Sequence, residues 1–422
     1  MAGMGEDENY WPRLSDIQRA RQRVGDVVAH TPLSLNAPLS ERYGAEVWLK
    51  REDLQVVRSY KIRGAYNKIS SLSPGELERG VVCASAGNHA QGVAFAAMRL
   101  GVEATIFMPK PTPQQKIKQV RMHGRDNVRI VLSGDTYDDS CQEALEFCGS
   151  GGQSFIHPFD DPLIIEGQGT LGLDILNDAR RSVDYLLLPI GGGGLASGVS
   201  SVFKAISPET RIIGVEAAGA PSMKRSFEEG RVTTLDEIDT FADGIAVRTP
   251  GTMTYRICRK NLDDIIVVPE GRICSTILEL YNESAIVVEP AGAASIAALP
   301  GLGGAIRGKS VVCVVSGGNN DITRMEEIKE RSMLYEGLKH YFMVRFPQRS
   351  GALREFLEKA LGPDDDITMF QYTKKNSREK GPAIVGVEIC SPADFEPLLS
   401  RMKANNIAYE YLNDKPDLLT LI

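Results

Sequence analysis

Lys61, within Arg58-Ser59-Tyr60-Lys61-Ile62-Arg63-Gly64-Ala65, stands where a lysine is poorly suited to carrying its charge. From Ser59 onward the chain reads as a helix start. The Ser59 oxygen is available as a cap, and the apolar positions Ile62, Ala65, Tyr66 and Ile69 recur at helical spacing. Lys61 then lies in the first turn, where the helix dipole opposes positive charge and small or aromatic neighbours make a tight, partly dry setting. Such a setting favours a neutral amine, the form that Schiff-base chemistry requires. A solvated basic helix end is the ordinary alternative for a single lysine.

Three further stretches carry chemistry, each a loop between a predicted strand and a helix, where open α/β sheets gather ligands. Ser85-Ala86-Gly87-Asn88-His89 offers a hydroxyl, a carboxamide and backbone amides at a helix N-terminus, which suits a carboxylate; a simple capping turn is the alternative. Gly191-Gly192-Gly193-Gly194-Leu195 lets amides converge on an anion with no Cβ in the way, and phosphate is its natural occupant. The same run, with Ala196, fits the dinucleotide fingerprint, and Glu216 falls about 20 residues on, where a ribose would be held. Ser316-Gly317-Gly318-Asn319-Asn320 ends an apolar strand with a hydroxyl able to bond a heterocycle nitrogen; a glycine-rich surface turn explains it equally well.

The elements that must position these loops alternate. Strands are expected at Glu46 to Lys50, Val81 to Ala84, Ala104 to Met108, Val128 to Leu132, Phe155 to Phe159, Tyr185 to Ile190, Ile212 to Val215 and Val311 to Val315. Helices are expected between them, and a first one is opened by a capping box at Ser15-Asp16-Ile17-Gln18. Repeated βα units with apolar strands imply parallel sheets covered on both faces, over roughly residues 40 to 330. Beyond about Tyr335 the order becomes βαββαβ, the ferredoxin-like pattern, in about 85 residues suited to a separate domain. Met1 to Tyr10 and Lys374 to Lys380 read as loose or solvated.

Composition narrows the class. A net charge of −7 with scattered Lys and Arg disfavours nucleic acid. No apolar run reaches the ~20 residues of a membrane span, and the acidic start lacks a signal pattern, so a cytoplasmic protein is expected. Seven cysteines without a Cys-x-x-Cys, two of them (Cys83 and Cys313) in apparent strands, read as reduced core residues.

Ser-Tyr-Lys-Ile-Arg-Gly-Ala, Ser-Ala-Gly-Asn-His-Ala-Gln-Gly, the tetraglycine turn, Val-Glu-Pro-Ala-Gly-Ala (Val288 to Ala293) and Ser-Gly-Gly-Asn resemble, in this order, the threonine dehydratases among the fold type II pyridoxal phosphate enzymes. The resemblance implies that residues 1–335 form the catalytic domain, with a smaller subdomain at about 55–155. It implies that Lys61 carries pyridoxal 5'-phosphate covalently, that Gly191, Gly192, Gly193, Gly194 and Leu195 hold its phosphate, and that Tyr60 packs beside its ring. Asn88 would bond the ring hydroxyl and Ser316 the ring nitrogen. Ser85, Ala86, Gly87, Asn88 and His89 would receive the substrate carboxylate, and Glu289 would lie near the ring.

The expected reaction is conversion of L-threonine to 2-oxobutanoate and ammonia, the first committed step of isoleucine biosynthesis. A serine-preferring dehydratase or another lyase of this fold is the first alternative; a dinucleotide-dependent oxidoreductase or an amino-acid sensor is the second. Serine racemases resembling this chain carry a serine where Ala86 stands, so racemisation is not expected. Their divalent metal needs an acidic residue where this chain has Ser222, so that metal is not expected although Glu216 matches; a potassium ion stays open. Residues 336–422 resemble an ACT-like regulatory domain. The resemblance implies isoleucine as inhibitor, with valine opposing it, near the turn that carries Arg349, Gly351 and Leu353, and a homotetramer.

Overall fold

Alternation of apolar strand and amphipathic helix is realised as two parallel sheets, followed by an antiparallel one. The computed structural model describes residues 10–372 and 380–415. The expectations for Met1 to Tyr10 and Lys374 to Lys380 therefore lie outside the described residues, except for Tyr10 and Lys380 themselves. Two compact units divide at Ile322 and Thr323.

In the first unit, the smaller sheet runs in the order Val128–Leu132, Ala104–Met108, Val81–Ala84, Ser154–Phe155, all parallel. The larger sheet has the order Leu33–Leu35, Glu46–Arg51, Ser310–Val315, Tyr185–Pro189, Arg211–Ala217, Asp264–Val268. Only its first pair is antiparallel. Tyr185–Pro189 and Ser310–Val315 are buried along their whole length, as strands covered on both faces must be. Leu33–Leu35 and the apolar run Asp264–Val268 escaped the sequence reading; both are edge strands with part of their surface exposed.

Two helix starts differ from expectation. The helix expected from Ser15 begins at Leu14 with Arg13 as an N-cap that lacks a side-chain bond, although Ile17, Ala20 and Val24 are buried as the pattern required. Ser59 caps nothing. It bridges to Gly317, its hydroxyl has no partner among the described residues, and the helix Lys61–Ser70 opens after Tyr60. A tertiary backbone bridge has replaced a local cap. The strand expected over Phe155 to Phe159 stops at Phe155, because the His157 ring takes the amides of Phe159 and Asp160 at 3.2 and 2.7 Å and turns the chain.

The second unit holds the strands Asp366–Tyr372, Lys380–Glu388, Lys339–Pro347 and Tyr409–Tyr411 in that spatial order, all neighbours antiparallel. With the helices Ala352–Ala360 and Phe395–Ala404 this is the ferredoxin-like βαββαβ arrangement. Its core joins Phe342, Val344, Phe356, Val385 and Met402. All seven cysteines are free.

A polar knot lies beneath the Lys61 helix. The fully buried Arg63 donates to both oxygens of Glu52 (2.9 and 2.8 Å), to Asp174 (2.8 Å) and to Thr170 (3.0 Å), while Thr31 donates to Glu52 at 2.5 Å. Burial alone would raise the Glu52 carboxyl, but Arg63 outweighs it and holds the group below its ordinary 4.5. The stability this carboxylate contributes is thus fully present above pH 4.5 and is lost as pH falls through the lower folded value. Glu52→Ala should cost roughly 3–5 kcal/mol of unfolding free energy in urea titrations at neutral pH, because it strands a buried guanidinium; a cost below about 1 kcal/mol would contradict this.

Candidate functional site

Lys61 is the first residue of its helix, and the backbone before it is fastened to the turn after Ser310–Val315. Tyr60 N donates to Ser316 O at 3.2 Å and Gly318 N to Arg58 O at 2.9 Å. The Lys61 side chain is half-buried, and its amine donates to Pro158 O at 2.8 Å. Its Nζ lies 5.5 Å from the centre of the Tyr60 ring. Burial pushes its pKa from 10.5 down to about 8, with the Glu289 charge opposing, so near neutrality it holds a proton only loosely.

Pro158 leads straight to the glycine turn. A Cβ on Gly192 would run into the ring of Phe159, and one on Gly194 would lie 3.0 Å from the Phe159 backbone. Gly193 adopts φ +92° and caps the helix Gly194–Ile206. The carbonyl of Gly192 accepts from Thr254 Oγ1 at 2.6 Å and from Gly251 N at 3.3 Å, and Asp160 holds the start of the Thr252–Asn261 helix by taking the amides of Thr252 and Thr254. With that carbonyl engaged, the amides of Gly191 to Ala196 donate to no acceptor among the described residues. Unpaired amides at the positive end of a helix, with no side chain at four successive positions, form a cradle that fits a phosphate.

The Ser85 loop meets the same cleft from the smaller sheet. Gly92 packs against the Lys61 backbone, so closely that a Cβ there would come within 3.2 Å of Lys61 O. Ser85 Oγ accepts from Gly87 N at 3.2 Å; the amides of Ala86, Asn88 and His89 have no acceptor among the described residues. His89 is buried against Ile156 O, and burial with the Lys61 charge lowers it to about 3, a neutral ring at physiological pH. Asn88 donates to Glu289 at 2.6 Å and accepts from Asn319 at 2.7 Å. Ser316 Oγ donates to Ala291 O at 3.1 Å, and its hydroxyl proton is free to rotate to another acceptor.

Lys61, the Ser85 loop, the tetraglycine turn and Ser316 are thereby linked through direct contacts. The sequence reading missed Pro158, Phe159, Asp160 and Thr254. Two prolines and two aspartates within His157-Pro158-Phe159-Asp160-Asp161-Pro162 were the available signal, since such a run marks a turn.

Glu216 does not serve the dinucleotide pattern. It is buried, and its oxygens take the amides of Met223 and Lys224, both at 2.8 Å, at the start of the helix Ser222–Glu229. No group of three or more His, Cys, Asp or Glu able to hold a metal occurs among the described residues.

In the second unit, Arg349, Gly351 and Leu353 line a cavity of about 550 Å³ together with Phe346, Leu357 and Phe370. Gly351 adopts φ +82° and caps the helix Ala352–Ala360; Arg349 pairs with Glu355.

A titration of the Lys61 side chain in the cofactor-free protein, followed through the NMR shift of its ε-carbon, should show a midpoint near pH 8; a midpoint at 10.5 would mean an exposed amine.

Residues 24–317 match the family described as pyridoxal-phosphate dependent enzyme, and residues 330–422 match the C-terminal regulatory domain of threonine dehydratase. The L-threonine dehydratase biosynthetic IlvA of Bacillus subtilis is 55% identical over 415 residues, 98% of each chain. Its counterpart in Lactococcus lactis is 49% identical over 410 residues, 96% of this chain and 99% of that one. Among solved structures, the processed form of threonine deaminase isoform 2 from Solanum lycopersicum superposes with TM-score 0.71 at 40% identity, covering 76% of this chain and 95% of that one. Maize serine racemase gives TM-score 0.71 at 31% identity, over 77% and 99%. With the cleft lysine, the amide cradle and the regulatory module in one chain, this protein belongs to the biosynthetic threonine dehydratase family of pyridoxal-phosphate dependent enzymes.

Proposed function

We propose that the protein dehydrates and deaminates L-threonine to 2-oxobutanoate and ammonia, with Lys61 as the residue that carries the cofactor and moves the α-proton. The observation that carries the reading is the loosely protonated, half-buried Lys61 amine, joined through Pro158 and Phe159 to a cradle of unpaired amides. When bound, pyridoxal phosphate supplies an electron sink for the pair left behind by the α-proton. In this reading Gly191 to Leu195 hold the phosphate, Asn88 bonds the ring hydroxyl, Ser316 bonds the ring nitrogen without adding charge, and Tyr60 packs beside the ring.

Ser85 and the amides of Ala86 to His89 hold the substrate carboxylate at the positive end of the Asn88–Leu100 helix, which orients the α-carbon toward Lys61. Lys61, neutral for a substantial fraction of the time near pH 8, takes the α-proton as general base. Loss of the β-hydroxyl leaves an aminocrotonate, which takes up water to give 2-oxobutanoate and ammonia. Ala86 offers only a methyl group and cannot return a proton to the α-carbon, which favours elimination over racemisation.

The second unit is proposed as the feedback module, residues 336–422 of it being ACT-like. Its cavity joins apolar Leu353, Leu357 and Phe370 with the guanidinium of Arg349, complementary to a branched aliphatic side chain and a carboxylate. Isoleucine is the proposed inhibitor and valine its antagonist. Feedback requires that isoleucine bind one conformational state more tightly than another. The proposed assembly is a homotetramer in the cytoplasm; no helix among the described residues is long and apolar enough to cross a membrane.

Purified protein should show the visible band of a lysine-bound cofactor and form 2-oxobutanoate from threonine faster than it forms pyruvate from serine. Lys61→Ala should lose both the band and more than about 1,000-fold of the rate, since base and attachment vanish together; a variant retaining activity would refute the assignment. Leu353→Asp should raise the isoleucine concentration for half-inhibition at least about tenfold, because a charge replaces an apolar contact. An unchanged value would move the effector site elsewhere.

A further inference from the structure

Asn88 is a carboxamide, so its usefulness to a ligand depends on which end faces the cleft. Its orientation follows from a chain of hydrogen bonds that begins at a group unable to change role. The carbonyl of Val57, in the buried turn before Lys61, can only accept, and it takes an N–H from Asn319 Nδ2 at 2.9 Å. The end of Asn319 that faces Val57 is therefore the amide nitrogen. Its other N–H goes to Asn88 Oδ1 at 2.7 Å, which fixes Asn88 in turn. Asn88 Nδ2 then faces Glu289 Oε1 at 2.6 Å.

The relay is closed at its far end. Glu289 is buried and also takes the backbone N–H of Asn319. It can be seated there only because residue 317 is glycine; a Cβ on Gly317 would strike the Glu289 carboxylate and lie 3.2 Å from Asn88 Nδ2. Turning Asn88 over would set its oxygen against Glu289 and its nitrogen against the nitrogen of Asn319. The second contact is repulsive in every state, and the first whenever Glu289 is ionised. Asn88 Nδ2 bears two hydrogens, and Glu289 takes one.

We propose that Asn319 and Glu289 are positioning residues that lock the Asn88 carboxamide so that its remaining N–H, and not its oxygen, is presented to the ring hydroxyl of the cofactor. A donor there selects the ionised form of that oxygen. The inference rests on the role given to Asn88 above. Burial and the Asp243 charge raise Glu289 to about 7, and in either protonation state a carboxyl oxygen is left to accept from Asn88.

The test compares the affinity of the cofactor-free protein for pyridoxal phosphate and for 3-deoxypyridoxal phosphate, which lacks the ring hydroxyl, by fluorescence titration. Wild type should prefer the natural cofactor by about tenfold, the weight of one hydrogen bond. Asn319→Asp replaces the donor with an acceptor and turns Asn88 over; the preference should fall to within about twofold, through weaker binding of the natural cofactor alone. Glu289→Leu should reduce the preference at least about threefold, and Glu289→Gln, whose amide oxygen can take the same N–H, should retain it. The proposal is overturned if the preference survives in both Asn319→Asp and Glu289→Leu, or if these variants weaken the two ligands equally, as a merely structural role would. If wild type and Asn88→Ala share the same ratio, the role of Asn88 itself fails and the inference falls with it. Failure of wild type to bind either aldehyde would overturn the cofactor reading as well, and so is distinguishable from the other outcomes.

Discussion

An amine partly withdrawn from water at the positive end of a helix is less favourable as a cation, and much of the first unit is arranged to keep Lys61 in that position. Local capping does not do it, since the Lys61–Ser70 helix starts without a side-chain cap. The bonds from Tyr60 to Ser316 and from Gly318 to Arg58 fasten the preceding turn to the larger sheet, while Arg63 ties the first helical turn to Glu52 and Asp174. The residue that carries the chemistry is thus gripped from both sides. What the protein gives up in solvation of one ammonium returns as a base that sheds its proton near pH 8.

A second layer sets the direction of dipoles. Thr254 and Gly251 occupy the Gly192 carbonyl, which leaves the amides of the glycine turn unopposed. Asn319 and Glu289 determine which end of Asn88 can donate. Neither set does chemistry itself. Each removes an orientation that the polar groups in the cleft would otherwise sample, so less reorganisation is left for the reaction.

Strand and helix types were legible in the sequence wherever one period dominated, as in Val81–Ala84, Ala104–Met108 and the wholly buried Tyr185–Pro189. The Lys61, Ser85, tetraglycine and Ser316 segments were legible because small or polar residues cluster after apolar strands. Tertiary decisions were not. Ser59 looks like a helix cap until Gly317 is seen to bridge it, Phe159 looks like a strand residue until His157 folds the chain, and Glu216 fits a ribose-binding position until two amides claim it. In each case a partner distant in the chain, or a turn formed by a side chain, overrode a local pattern of equal plausibility. Asn319 stands within a motif that the sequence shows, but its task was hidden for the same reason, since its partners Val57 and Asn88 are remote in sequence.

Borohydride reduction of the purified enzyme followed by peptide mapping tests the central claim most directly, because it reports which amine is covalently joined to the cofactor. A reduced pyridoxyl-phosphate adduct on Lys61, and on no other lysine, is the result expected. An adduct on a different lysine, or an unmodified Lys61 in enzyme that turns over threonine, would contradict it.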